Sequence, residues 1–148
     1  MHLFSEKFVS LVFDGRYDEA DEILCAQREA AAGVVVLRLV GVREAMRAKV
    51  QQLGFGPSDQ RRVLACTYET AYRLREQKYW NDAATIYLDV VELSLAMNEP
   101  FVLDDARLSR VLCLKNLGRI HEYEREKAEI PAGTTILIDG VNWRVEDL

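Results

Sequence analysis

The residues most able to do chemistry in this chain of 148 are few and scattered. Its two histidines are His2 and His121, the latter set among Glu122, Glu124 and Glu126, where a solvated side chain is the ordinary outcome. Cys25, Cys66 and Cys113 lie far apart, each inside an apolar helical pattern. No spacing suits a metal site or a CxxC redox pair, so the sequence predicts small core thiols in a reducing compartment. Asp104-Asp105 is a pair of acids, but one that falls in the first turn of a helix, where the helix dipole already favours carboxylates. No glycine-rich phosphate loop, HExxH, GxSxG or Cys/His couple occurs. The expectation is a protein that is not an enzyme and carries no cofactor or metal.

The elements that would position any site are mostly helical. Apolar residues recur at helical spacing over 3–13, from Tyr17 to about Arg28, from Ser58 to about Gln77, from about Asn81 to Met97, and on to Leu117, with a short charged helix reaching about Glu129. Tyr17, Ala20, Ile23 and Leu24 are expected to face inward, and Ser58 is a candidate N-cap. The run Val34-Val35-Val36-Leu37 could be a buried strand taken alone. Leu39, Val42, Met46, Val50 and Leu53 follow at helical spacing and favour helix, with Arg43, Arg47 and Lys49 outside. Whether 33–56 is one long helix or a degenerate repeat stays open.

After Pro131-Ala132-Gly133 the pattern changes. Thr134–Ile138 and Val141–Val145 flank Asp139-Gly140, a strong two-residue hairpin signal. That register pairs Ile138 with Val141, Ile136 with Trp143 and Thr134 with Val145, all on one face. A lone two-stranded hairpin is marginal in water. It is expected either to cap the helical region 1–130 from its own segment 131–148, or to reach a second copy through Ile136, Ile138 and Trp143.

Charge limits the partners. The net charge is −5, which argues against a nucleic-acid binder, since phosphate contacts need a basic footprint. Residues 33–62 nevertheless carry 6 basic and 2 acidic side chains, either a solvated face or a docking patch for an acidic partner. There is no basic n-region followed by an apolar stretch, and the longest apolar run, about Ala30 to Leu37, is far short of the roughly 20 residues that cross a bilayer. A cytoplasmic protein without membrane partners is expected.

One pattern occurs three times. Gly15-Arg16-Tyr17-Asp18-Glu19-Ala20 is echoed by Lys78-Tyr79-Trp80-Asn81-Asp82-Ala83 and by Gly118-Arg119-Ile120-His121-Glu122-Tyr123, each between two helical patterns. The echoes resemble the tetratricopeptide repeat, a helix-turn-helix of about 34 residues. The central copy fits best, with Ala71 and Leu74 in its first helix and Trp80, Ala83, Tyr87 and Val90 in its second. The first offers Leu11, Tyr17, Ala20 and Leu24 but has Phe8 where a small residue is usual. The third offers Val111, Leu114, Gly118 and Ile120, then departs at Tyr123 and Lys127; a tyrosine there should push two helices apart and end the stack. Spacings of 63 residues from Tyr17 to Trp80 and 40 from Trp80 to Ile120 also depart from the family period.

The resemblance implies a mainly α fold: antiparallel helical hairpins stacked as a short tetratricopeptide-like solenoid, with a C-terminal β-hairpin. It also implies a protein or peptide partner held in a concave groove lined by the first helix of each pair, the work of an adaptor, an inhibitor, or an assembly or secretion chaperone like the small bacterial ones. At those positions stand Tyr68, Tyr72 and Arg75, and at matching positions Leu108, Leu112 and Lys115. Aromatics with arginine make interface hot spots. The competing reading makes both stripes core. A structural homo-oligomer without a foreign ligand, such as a homodimer, is the alternative function.

Overall fold

The three echoed segments fold into the same turn. In the computed structural model, which describes residues 3–31, 37–54 and 56–148, Gly15, Lys78 and Gly118 all have left-handed φ angles, of 74°, 66° and 74°. The residue after each, Arg16, Tyr79 and Arg119, has φ between −90° and −82° and ψ of 67–69°, and caps the next helix. The backbone bonds match as well. The N–H of Arg16, Tyr79 and Arg119 donates to the carbonyl of Leu11, Leu74 and Leu114 at 2.9, 2.9 and 3.0 Å. This is the six-to-one closure that a left-handed residue after a helix permits. Glycine takes that conformation freely, whereas Lys78 pays a steric cost for it.

These turns join helices α1 (Leu3–Phe13) to α2 (Tyr17–Ala30), α4 (Pro57–Glu76) to α5 (Trp80–Ala96), and α6 (Leu103–Asn116) to α7 (Ile120–Ala128), with α3 (Val42–Gln51) between the first two pairs. Helices α4, α5 and α6 pack in succession, α7 lies on α6, and α3 lies on α1 and touches α5. The main core draws Phe8, Val12, Leu24, Leu39, Met46, Leu74, Tyr79, Ile86 and Tyr87 from α1 to α5 and the segment before α3, and Ala106 and Cys113 from α6. Arg110, nearly buried, fastens three helices: its guanidinium donates to the Ala84 carbonyl on α5 and to Glu126 on α7, both at 2.7 Å.

The C-terminal strands β1 (Thr135–Ile138) and β2 (Val141–Arg144) form the antiparallel hairpin in the expected register, with Ile136 opposite Trp143 and Ile138 opposite Val141. The Val145 N–H donates to the Thr134 carbonyl at 2.8 Å, extending the pairing. Positive φ at both Asp139 and Gly140 gives the turn whose twist suits paired strands. The strand β1 rests on α6, and Ile136 joins Leu108, Val111, Ile130, Val145 and Leu148 in a second, smaller core. The hairpin therefore lies against α6 through Ile136.

Several local expectations need correction. The helix expected from the valine run begins only at Val42, behind a left-handed Gly41; Leu39 is buried but precedes it in irregular backbone, and residues 32–36 lie outside the described ones. Ser58 is not the cap of α4. Pro57, with φ already suited to a first turn, starts that helix, which moves the cap two residues back to Gly56, and Asp59 accepts a hydrogen bond from the Gly56 N–H at 3.2 Å. Tyr17 turns outward and is 38% exposed, stacked under the Arg73 guanidinium at 4.6 Å. Tyr123 sits half-buried over the second core, with its hydroxyl donating to the Leu148 backbone oxygen and Lys127 donating to that oxygen at 3.1 Å. It thus tethers the chain's last residue, and α7 contributes no fully buried side chain. Of the thiols, only Cys113 is buried, which pushes its pKa up to about 12; Cys25 and Cys66 are half-buried.

Candidate functional site

Among the described residues, two arrangements bear most on a binding role. The first is the tyrosine–arginine stripe, which the structure folds inward. Tyr68 donates its hydroxyl to Asp105 at 2.9 Å, and the Arg75 guanidinium donates to Ser109 at 2.9 Å and to Glu76 at 2.8 Å. Tyr68 stacks on Tyr72 and meets Tyr87 edge-on, with ring centroids 6.4 and 6.3 Å apart. Tyr72 is flanked in turn by the guanidinium groups of Arg73 and Arg75 at 5.6 and 5.2 Å. Burial, with the Asp105 charge beside it, holds the Tyr68 hydroxyl protonated well above the usual phenol range. Tyr87 is fully buried, with Ser109 and Arg75 beside its hydroxyl.

This cluster fastens α4 to α6. Arg75 is 4% exposed and Leu108 not at all, so neither can meet a ligand in the folded chain, and both are corrected from groove contact to interior. Tyr68, Tyr72 and Leu112 are half-buried, and Lys115 is exposed. Ile136, expected at an oligomer contact, is likewise buried within its own chain, while Ile138 is half-buried and Trp143 is 41% exposed.

The second place is a groove between α3 and α5 over α4, with a volume of about 530 Å³. Met46 and Val50 of α3, Val63 of α4, and Leu93 and Ala96 of α5 give it apolar lining. At one end Arg43 closes it with a bidentate pair to Asp89, at 3.1 and 2.7 Å. Along its rim stand Arg47 on the α3 wall and Glu92 on the α5 wall, both exposed. Arg43, Met46/Arg47 and Val50/Gln51 recur at three- and four-residue spacing, as do Asp89, Glu92/Leu93 and Ala96. Each wall is therefore one face of one helix.

Sequence reading passed over this groove because Met46 and Val50 satisfied a core pattern and Arg43 a solvent one. The surplus of basic side chains over 33–62 was the available signal. That surplus supplies Arg43 and Arg47 here, facing acids from α5.

The approach of α3 is set by Asp82. Its carboxylate, in the first turn of α5, accepts a hydrogen bond from the Leu39 N–H at 2.6 Å and so pins the segment before α3. Burial raises its pKa to about 6, against the opposing pull of the Leu39 N–H and the Arg38 charge. Among the described residues no cluster of histidine, cysteine and acidic side chains could hold a metal ion, and no helix is long and apolar enough to cross a membrane. No family model, curated protein or solved structure matches this chain.

Proposed function

We propose that the chain is a short tetratricopeptide-like stack of helical hairpins that binds another protein, and that the groove between α3 and α5 is the surface that does so. The observation that carries this reading is the groove itself: about 530 Å³ of apolar-lined space with charges of both signs on its rim. A space of that size takes several side chains of a partner segment. The matched geometry of the three turns supports the repeat reading. The groove replaces the Tyr68–Arg75 stripe as the proposed contact, because that stripe is occupied by its own neighbours.

The test is affinity capture from the native host's lysate, with wild type compared against Ala96→Trp. Ala96 is exposed at the groove, so a tryptophan there fills the space without entering the core. A partner retained by wild type and lost by the folded variant supports the reading; equal retention sinks it.

Homo-oligomerisation is the second reading, and one observation favours it. Val141 and Trp143, on the β2 face that shares its side with buried Ile136, remain 54% and 41% exposed. Light scattering over a concentration series, with Trp143→Ala as the control, tests it.

A further inference from the structure

The two walls of the groove differ in charge, and that difference selects an occupant. The α3 wall is cationic, with Arg43 and Arg47, and the α5 wall is anionic, with Asp89 and Glu92. Arg43 and Asp89 neutralise each other at the closed end. Arg47 and Glu92 make no ion pair among the described residues and stand exposed on opposite walls. The lined length of α3, from Arg43 to Gln51, is about 12 Å, or roughly two helical turns.

Resting on the groove reading above, we infer that the occupant is an amphipathic helix of a partner protein with an apolar stripe flanked by acidic residues on one side and basic residues on the other. The stripe lies over Met46, Val50, Leu93 and Ala96. Its acidic flank faces Arg47 and its basic flank faces Glu92. Turning such a helix end for end exchanges its flanks, so the wall charges also set the direction in which it lies. A helix with two acidic flanks meets Glu92 with like charge, and one with two basic flanks meets Arg47 likewise, which disfavours both.

The test uses three designed helical peptides of about 25 residues, well beyond the roughly 12–15 at which an isolated helix is marginal in water, with circular dichroism used to match their helicity. All carry leucine at i, i+3, i+4 and i+7. One has a glutamate flank and a lysine flank, one has glutamate on both, and one has lysine on both. Fluorescence anisotropy at low salt is expected to rank the mixed peptide first, by about fivefold over either uniform one, with the gap closing as salt screens the rim. Arg47→Glu makes both walls anionic and is expected to move the preference to the lysine-only peptide. Glu92→Lys is expected to move it to the glutamate-only peptide, and the double variant to restore the mixed one. Equal binding of all three peptides, or a ranking unmoved by the reversals, overturns this inference. Loss of all binding in Ala96→Trp would still uphold the groove. Binding that survives Ala96→Trp contradicts the groove reading itself, and failure of every peptide to bind overturns the inference while the lysate capture judges the groove.

Discussion

At the scale of single residues, Asp82 is the most exacting position. With its pKa raised from 3.8 to about 6 in the fold, the folded chain holds that proton more tightly than the unfolded one. Stability linked to Asp82 is therefore greatest below about pH 4, falls as pH rises towards 6, and is level above that. Asp82→Asn keeps an acceptor for the Leu39 N–H without a buried charge. It is expected to match or exceed wild type in urea denaturation at pH 7.5, and to remove the decline between pH 4 and 6. Asp82→Ala leaves that N–H unpaired and is expected to cost about 1–3 kcal/mol. A clearly destabilised Asp82→Asn at pH 7.5 would contradict this account. Tyr68→Phe removes one hydroxyl donor to a carboxylate and is expected to cost about 1–2 kcal/mol by the same assay, with the mixed peptide still bound. Unchanged stability with lost binding would return Tyr68 to the ligand surface. The residue types of this cluster were legible in the sequence, but their direction was not. Tyrosine and arginine suit an interface and a buried polar network equally, and only Asp105 and Ser109, a helix away, decide between them.

At the scale of elements, the turns were the most legible part of the chain, because a glycine or its stand-in after a helix has few other uses. Lys78 is the stand-in and carries the cost of a left-handed φ of 66°. Lys78→Gly is expected to raise stability by about 1 kcal/mol, whereas Gly15→Ala and Gly118→Ala are expected to lower it by a similar amount. Neither glycine has an atom within 4 Å of an added Cβ, so the loss would come from the backbone alone. Thermal unfolding of the three variants checks this, and three changes of the same sign would refute it. The start of α3 was illegible for the opposite reason. Leu39 fits a helical stripe by spacing, but its N–H is directed to Asp82, 43 residues further on, and a contact that distant leaves no periodic trace. The hairpin register was readable to the residue, since Asp139-Gly140 fixes the turn and alternation fixes the faces.

At the scale of the whole molecule, two surfaces compete for the partner: the α3–α5 groove and the exposed half of the hairpin face. Stable protein interfaces bury about 1,200–2,000 Å² in total. Val141 and Trp143 on four-residue strands supply only a small part of that, with Ile136 already taken by α6. The chain is therefore expected to scatter light with the mass of one copy at micromolar concentration. A mass of two copies that Trp143→Ala abolishes would favour the oligomer reading instead. The groove needs no second copy, because its walls and lining come from one chain. The most direct test is a heteronuclear NMR titration of labelled protein with the mixed-flank peptide. Binding in the groove predicts shifts in the amides of residues 43–51 and 89–96. Shifts confined to 112–116 or 141–144 would contradict it.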